Sequence, residues 1–280
     1  MMELWYKLCN IIPFEMLHWK FMCNALLAVI IIAPLFGMTS TMIITGRMSF
    51  FSDALGHSAF TGIAIGSICG LSAPTLIAVI FAAAFALLFS FVRNRSNHTA
   101  DTLIGVFSSA AVALGIFIAT LGGSSFTKYN KYLVGDILSV TPGEIGLLAI
   151  VLVIMFVFMV LFGNKLTLSA IHPALASSRG YSPAVYQTAF TTAIAIVVTL
   201  SISWVGLLIL NSLLILPAAS ARNISRNLRQ YHCFSILFAL LAGIGGLIVS
   251  YYLGSSTGAA ISLFLVFIFI ISFTFRKVRL

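Results

Sequence analysis

Nine apolar runs, each near the length of a bilayer crossing and divided by short polar loops, organise the chain. They are Phe21–Thr45, Phe50–Gly70, Thr75–Val92, Thr102–Leu121, Ile145–Phe162, Ala184–Val205, Gly206–Ala221, Cys233–Leu253 and Ala259–Phe275. Each predicts a helix, because backbone polar groups in hydrocarbon must be satisfied within the segment itself. A membrane barrel would alternate apolar and polar residues in roughly ten-residue segments, a pattern this chain lacks. Ala184–Ala221 holds no charged residue across 38 positions, nearly twice the roughly 20 that one span needs. A break is expected at Trp204-Val205-Gly206, with Pro217 making the second piece irregular.

Composition sharpens this picture. Hydrophobic residues make up 61% of the chain and charged residues 8%, against about 25% charged in soluble domains. The expected fold class is all-α: a polytopic transmembrane helical bundle of eight or nine spans. Its expected organisation is an N-terminal segment at 1–20, one transmembrane domain at 21–275 and a basic tail at 276–280. A net charge of +9 would suggest nucleic acid in a soluble chain. Here the basic residues punctuate the loops, so no nucleic-acid partner is expected.

Their distribution orients the bundle. If Arg47, Arg93, Arg95, Lys165, Arg179, Arg222, Arg226, Arg229 and the tail residues Arg276, Lys277 and Arg279 face the cytoplasm, eleven of fifteen basic residues are inside. Lys7, Lys20, Lys128 and Lys131 remain outside. The C-terminus is then cytoplasmic, and nine spans put the N-terminus on the opposite side. Cys9, Cys23, Cys69 and Cys233 are scattered without a CxxC pair, which supports neither a disulfide framework nor a thiolate metal site. Without a short apolar core and small-residue cleavage site at the N-terminus, Phe21–Thr45 reads as a retained span.

Candidate chemistry begins with Asp53 and His57. At i and i+4 they share one helix face, inside a run that otherwise reads as membrane-spanning. A carboxylate at a bilayer centre costs about 2.5–3.5 kcal/mol even on lenient scales, so such residues tend to face protein or water-filled paths. One oxygen and one nitrogen ligand suit a divalent cation. The alternative is that Asp53 falls in the first turn and complements the helix dipole, a role that needs no imidazole. Asp101 reads as an N-cap before Thr102. Thr141-Pro142-Gly143-Glu144 reads as a capping box with Pro at N1. Asp136 suits either an entry vestibule or a solvated loop. His18, His98, His172 and His232 fall in termini or loops with no metal-ligand spacing.

Gly163–Pro183 stands out as a longer, moderately polar connection. Within it, Pro173, Ala174, Leu175, Ala176, Ser177 and Ser178, followed by Arg179 and Gly180, predict a short helix with Pro near its start and Gly after its end. Both a docking helix and a plain connector fit. Gly254-Ser255-Ser256-Thr257-Gly258 matches G-x-S-x-G, but that motif requires a strand-to-helix turn and here joins two apolar runs. No GxxxxGK[ST] motif occurs, so ATP hydrolysis by that route requires a partner chain.

Arg47-Met48-Ser49-Phe50-Phe51-Ser52-Asp53-Ala54-Leu55-Gly56-His57-Ser58 resembles the permeases of ATP-binding-cassette importers for manganese, zinc and iron. The resemblance continues at Asp101–Gly105, Val134–Leu138, Val205–Leu208 and Ser212–Arg222, in the family's order and over most of the chain after residue 20. It implies a multi-pass permease of the bacterial cytoplasmic membrane, working as a homodimer with two cytoplasmic ATPase subunits and an extracytoplasmic metal-binding protein. No resident cofactor is implied; zinc, manganese or ferrous iron is the cargo, and the chain itself is not an enzyme. The family's metal-path residues carry over to Asp53 and His57, with Asp136 a weaker candidate. Residues 168–182, above all Pro173, Ala174, Leu175, Ala176, Arg179 and Gly180, correspond to the cytoplasmic segment that engages the ATPase. Relatives usually carry acidic residues there, and this chain does not. The rival readings are a permease for a metal chelate or vitamin and a proton-coupled carrier using Asp53 and His57 as a relay.

Overall fold

The computed structural model describes residues 2–11, 14–68, 74–121 and 136–276. Cys69, Gly70, Lys128, Lys131, Val134, Gly135, Lys277 and Arg279 lie outside the described residues. Among the described residues eleven α-helices follow in order: α1 Met2–Ile11, α2 Lys20–Thr45, α3 Phe51–Ile68, α4 Pro74–Arg95, α5 Ala100–Leu121, α6 Pro142–Ile171, α7 Pro173–Ser178, α8 Pro183–Val205, α9 Leu207–Ile224, α10 Leu228–Leu253 and α11 Thr257–Thr274. Every expected span is a helix. Eight of them are long and apolar enough to cross a membrane; α3 is a helix of the right length but below that apolarity.

Local chemistry sets the ends. Thr141 and Glu144 form the expected capping box: the Thr141 amide and hydroxyl both donate to Glu144 Oε2, at 2.7 and 2.8 Å. The cap of α5 lies two residues earlier than expected. Thr99 Oγ1 accepts from the Thr102 amide at 3.4 Å, and Asp101 lies inside the first turn. Capping by Thr99 adds Ala100 and Asp101 to the helix and leaves the carboxylate beside the positive end of the dipole. Gly206, at φ 83°, separates α8 from α9 at the expected break. Gly254, at φ 61° and ψ 31°, ends α10, so the G-x-S-x-G stretch is a helix-to-helix turn.

One expected loop is mostly helix. α6 runs 30 residues to Ile171, well past Phe162. Leu166, Thr167 and Ser169 are buried there, so packing carries the helix through a polar stretch that composition alone marks as a connection. The short helix α7 then forms where Pro173 and Gly180 place it, with Gly180 at φ 78°.

The chain divides into two compact units. The first comprises residues 1–41, 135–156 and 204–280, in which α9, α10 and α11 pack on one another. Gly37 on α2 allows close approach to α10: a Cβ there would lie 2.9 Å from the Ile236 Cα. Pro217 interrupts the ladder of α9, and the Ala218 amide donates to Ser40 Oγ at 3.2 Å. The second unit comprises residues 42–134 and 157–203. Its centre is α3, packed against both α4 and α5. Ser90 on α4 and Thr191 on α8 share a 2.8 Å hydrogen bond in the same unit.

Candidate functional site

The entry into α3 is built by the turn before it. The Met48 amide donates to Ile43 O at 3.0 Å and the Arg47 amide to Ile44 O at 3.2 Å, closing off α2. Arg47 takes the left-handed conformation at φ 54°. Arg93, from the last turn of α4, reaches over this turn and donates to Met48 Sδ at 3.1 Å and to Gly46 O at 3.4 Å. Phe51 then inserts against Phe89, with ring centroids 4.8 Å apart, and Phe89 meets Phe107 edge-on at 5.4 Å. These contacts fix the rotation of the first turn of α3.

Small residues fix the rest. A Cβ on Gly62 would sit 2.5 Å from the Ala78 Cα on α4, and one on Gly115 would sit 2.7 Å from Phe60 Cδ1 and from Thr61 Oγ1. The Thr61 hydroxyl bonds to the Ala111 carbonyl of α5 at 2.7 Å. Helix α3 is therefore held at backbone distance from α4, and its Phe60 and Thr61 side chains rest on the backbone of α5, as small-residue interfaces in membranes allow.

That packing leaves one stripe of α3 uncovered. Between Phe51 and Ala64 every residue is buried except Asp53 and His57, whose side chains are 46% and 29% exposed. His57 Nε2 lies 3.5 Å from Asp53 Oδ2, a loose electrostatic contact rather than a short hydrogen bond. The expectation that both groups share a face is met. Asp53 also stands in the first turn, so the dipole role and the pairing with His57 coexist at one residue.

The other acidic candidate has local work. Asp136 is exposed and accepts from the Leu138 amide at 3.0 Å, capping the 3₁₀ turn Ile137–Ser139. Among the described residues no group of three or more His, Cys, Asp or Glu side chains gathers to hold a metal. His232 is bonded through Nδ1 to Thr41 Oγ1 at 2.8 Å.

Two cations read only as topology markers in the sequence have structural partners. Arg93 braces the turn into α3, as described above. Lys165 places its ammonium 5.3 to 5.8 Å from the rings of Tyr181, Tyr186 and Phe162, joining the end of α6 to the segment that follows α7. Neither pairing has a sequence signal, since the partners are fixed by helix packing. On α7 and the turn after it, Pro173, Ala174, Leu175, Arg179 and Gly180 are exposed and only Ala176 is buried.

The chain is 27% identical over 256 residues to the high-affinity zinc uptake system membrane protein ZnuB of Haemophilus influenzae, covering 91% of this chain and 97% of that protein. It is 28% identical over 260 residues to the manganese transport system membrane protein MntC of Listeria monocytogenes, covering 93% and 92%. Among solved structures, a chain of PsaBC from Streptococcus pneumoniae in complex with Fab superposes with a TM-score of 0.78 at 26% identity, covering 98% of this chain and 95% of that one. Residues 18–276 match the ABC 3 transport family, and the chain belongs to it.

Proposed function

We propose that this chain is the membrane-spanning permease subunit of an ATP-binding-cassette importer for a divalent transition-metal ion: zinc, manganese or ferrous iron. Family membership and the zinc and manganese transport relatives support that reading. The observation that carries the site is the Asp53–His57 pair, the two uncovered residues in the otherwise buried stretch Phe51–Ala64 of α3. Asp53 supplies charge compensation and an oxygen ligand; His57 supplies a nitrogen as its neutral imidazole. Two ligands per chain are fewer than the four of a closed structural zinc site. A transit site has to release its ion, so sparse ligation suits transport.

The remaining parts follow from the same reading. A second copy of the permease would double the ligand set if the dimer axis runs near α3. Cytoplasmic ATPase subunits dock on the exposed α7 segment, Pro173 to Gly180, and an extracytoplasmic binding protein delivers the ion. ATP binding by the partner then shifts the bundle between outward- and inward-facing states. The membrane is a bacterial cytoplasmic membrane, with the C-terminus inside.

The deciding experiment is metal accumulation, measured by mass spectrometry, in cells lacking the permease. They are complemented with wild type or Asp53→Asn beside the native ATPase and binding protein. Restoration of one divalent metal by wild type alone supports both the cargo and the site. Equal restoration by Asp53→Asn removes Asp53 from the path. No change in any metal with either chain overturns the importer reading.

A further inference from the structure

Cys9 and Cys23 lie on different helices and carry no motif, yet the fold brings their side chains into one cluster. They are 1% and 2% exposed and belong to one buried cluster with Met16, Leu17 and Met22. Two hydrogen bonds dock α1 on the start of α2 around them: Trp5 Nε1 donates to the Cys23 carbonyl at 2.9 Å, and the Tyr6 hydroxyl to Asn24 Oδ1 at 2.8 Å. Trp5 and Cys9 are i and i+4, so the face of α1 that carries Cys9 is the face pinned to residue 23. The Cys23 thiol also donates to the Leu17 carbonyl at 3.1 Å. The Cys23 thiol is close enough to Cys9 to perturb its ionisation, and both are free thiols in the structure.

We infer that Cys9 and Cys23 are a disulfide-forming pair that ties α1 to the first turn of α2. The pair lies in the N-terminal part of the chain, which a cytoplasmic C-terminus and nine crossings, α3 included, put on the extracytoplasmic, oxidising side; the inference rests on that sidedness. The step is a thiol–disulfide exchange with an oxidant that carries a disulfide. Both cysteines give up their protons, one Sγ–Sγ bond forms between them, the oxidant's disulfide breaks, and two electrons reduce it to two thiols. Burial, together with the neighbouring Cys23 thiol, pushes the Cys9 pKa up to about 12. Thiolate is the reacting species, so exchange belongs to assembly of the chain, before the cluster closes. Once made, the bond is shielded from reductant by the same burial.

The test uses the full-length protein in native membranes, denatured and alkylated with a maleimide before and after reduction, then digested for peptide mass mapping. The expected result is a linked peptide containing Cys9 and Cys23, two hydrogens lighter than the sum of its parts. Two of the chain's four cysteines should resist alkylation until reduced, and Cys9→Ser should free Cys23 at once. In parallel, a membrane-impermeant amine reagent on intact cells reads the side of the exposed Lys7. Free Cys9 and Cys23 with Lys7 labelled from outside overturns the disulfide and leaves the orientation standing. Free thiols with Lys7 protected overturn both.

Discussion

Helices α3 and α11 have the same length, 18 residues, and opposite surroundings. Thirteen residues of α3 are buried and only five of α11. Yet α11 is the more apolar helix: Leu263, Phe267, Ile270 and Phe273 are all more than half exposed. Helix α3 is rich in Gly, Ala and Ser, including Gly56, Gly62 and Gly66, and it alone of the nine long helices misses the apolarity of a membrane crossing. In a soluble protein the greasier helix would be the inner one. In a bilayer, lipid solvates Leu and Phe as well as protein does, so the inner helix is chosen by close backbone approach. That choice frees α3 to carry a carboxylate and an imidazole.

The sharpest way to break this contrast is to neutralise the polar stripe while leaving the packing intact. Asp53→Asn should insert and fold normally, and should cut metal uptake by about tenfold or more, the scale on which ligand-shell changes weaken metal sites. His57→Ala should do the same, and uptake at the wild-type rate would remove the residue from the path. Next comes the packing itself. Gly62→Leu drives a side chain into the Ala78 backbone and should destabilise the protein by about 1–3 kcal/mol, read by denaturant unfolding in detergent. A neutral result would mean that α3 does not sit at backbone distance from α4.

Smaller effects refine the comparison. Thr61→Val keeps the shape but removes the hydroxyl bond to Ala111 O, and should cost about 0.6 kcal/mol, the mean for interhelical hydrogen bonds in membranes. Leu263→Ala on α11, at a side chain 69% exposed, should change stability by no more than about 0.5 kcal/mol. A loss as large as that of Gly62→Leu would show that the exposed face of α11 is covered by something other than lipid.

Much of this was legible from the residues. The break at Gly206, the capping box at Thr141–Glu144 and the short helix after Pro173 follow from local rules of turn and cap chemistry, and the structure keeps all three. Where the sequence misleads, the cause is non-local. The stretch 163–171 reads as loop, but buried Leu166 and Ser169 hold it in α6. Asp101 yields the cap to Thr99 because an earlier start extends the helix. Cys9 and Cys23 look scattered because spacing in sequence carries no record of α1 folding back on α2.

The sequence by itself determined the helices, their approximate ends and the shared face of Asp53 and His57, since each depends on apolar length, cap residues or the i, i+4 period. Family membership was legible in the order of its motif blocks. Only the tertiary structure decided which helix is most enclosed, that the polar pair is what stays uncovered between Phe51 and Ala64, and which partners Arg93, Lys165 and the two N-terminal cysteines take. Those depend on contacts between separate helices and turns, which local sequence does not record. Hydropathy, which ranks helices by their comfort in lipid, points away from the enclosed helix rather than toward it.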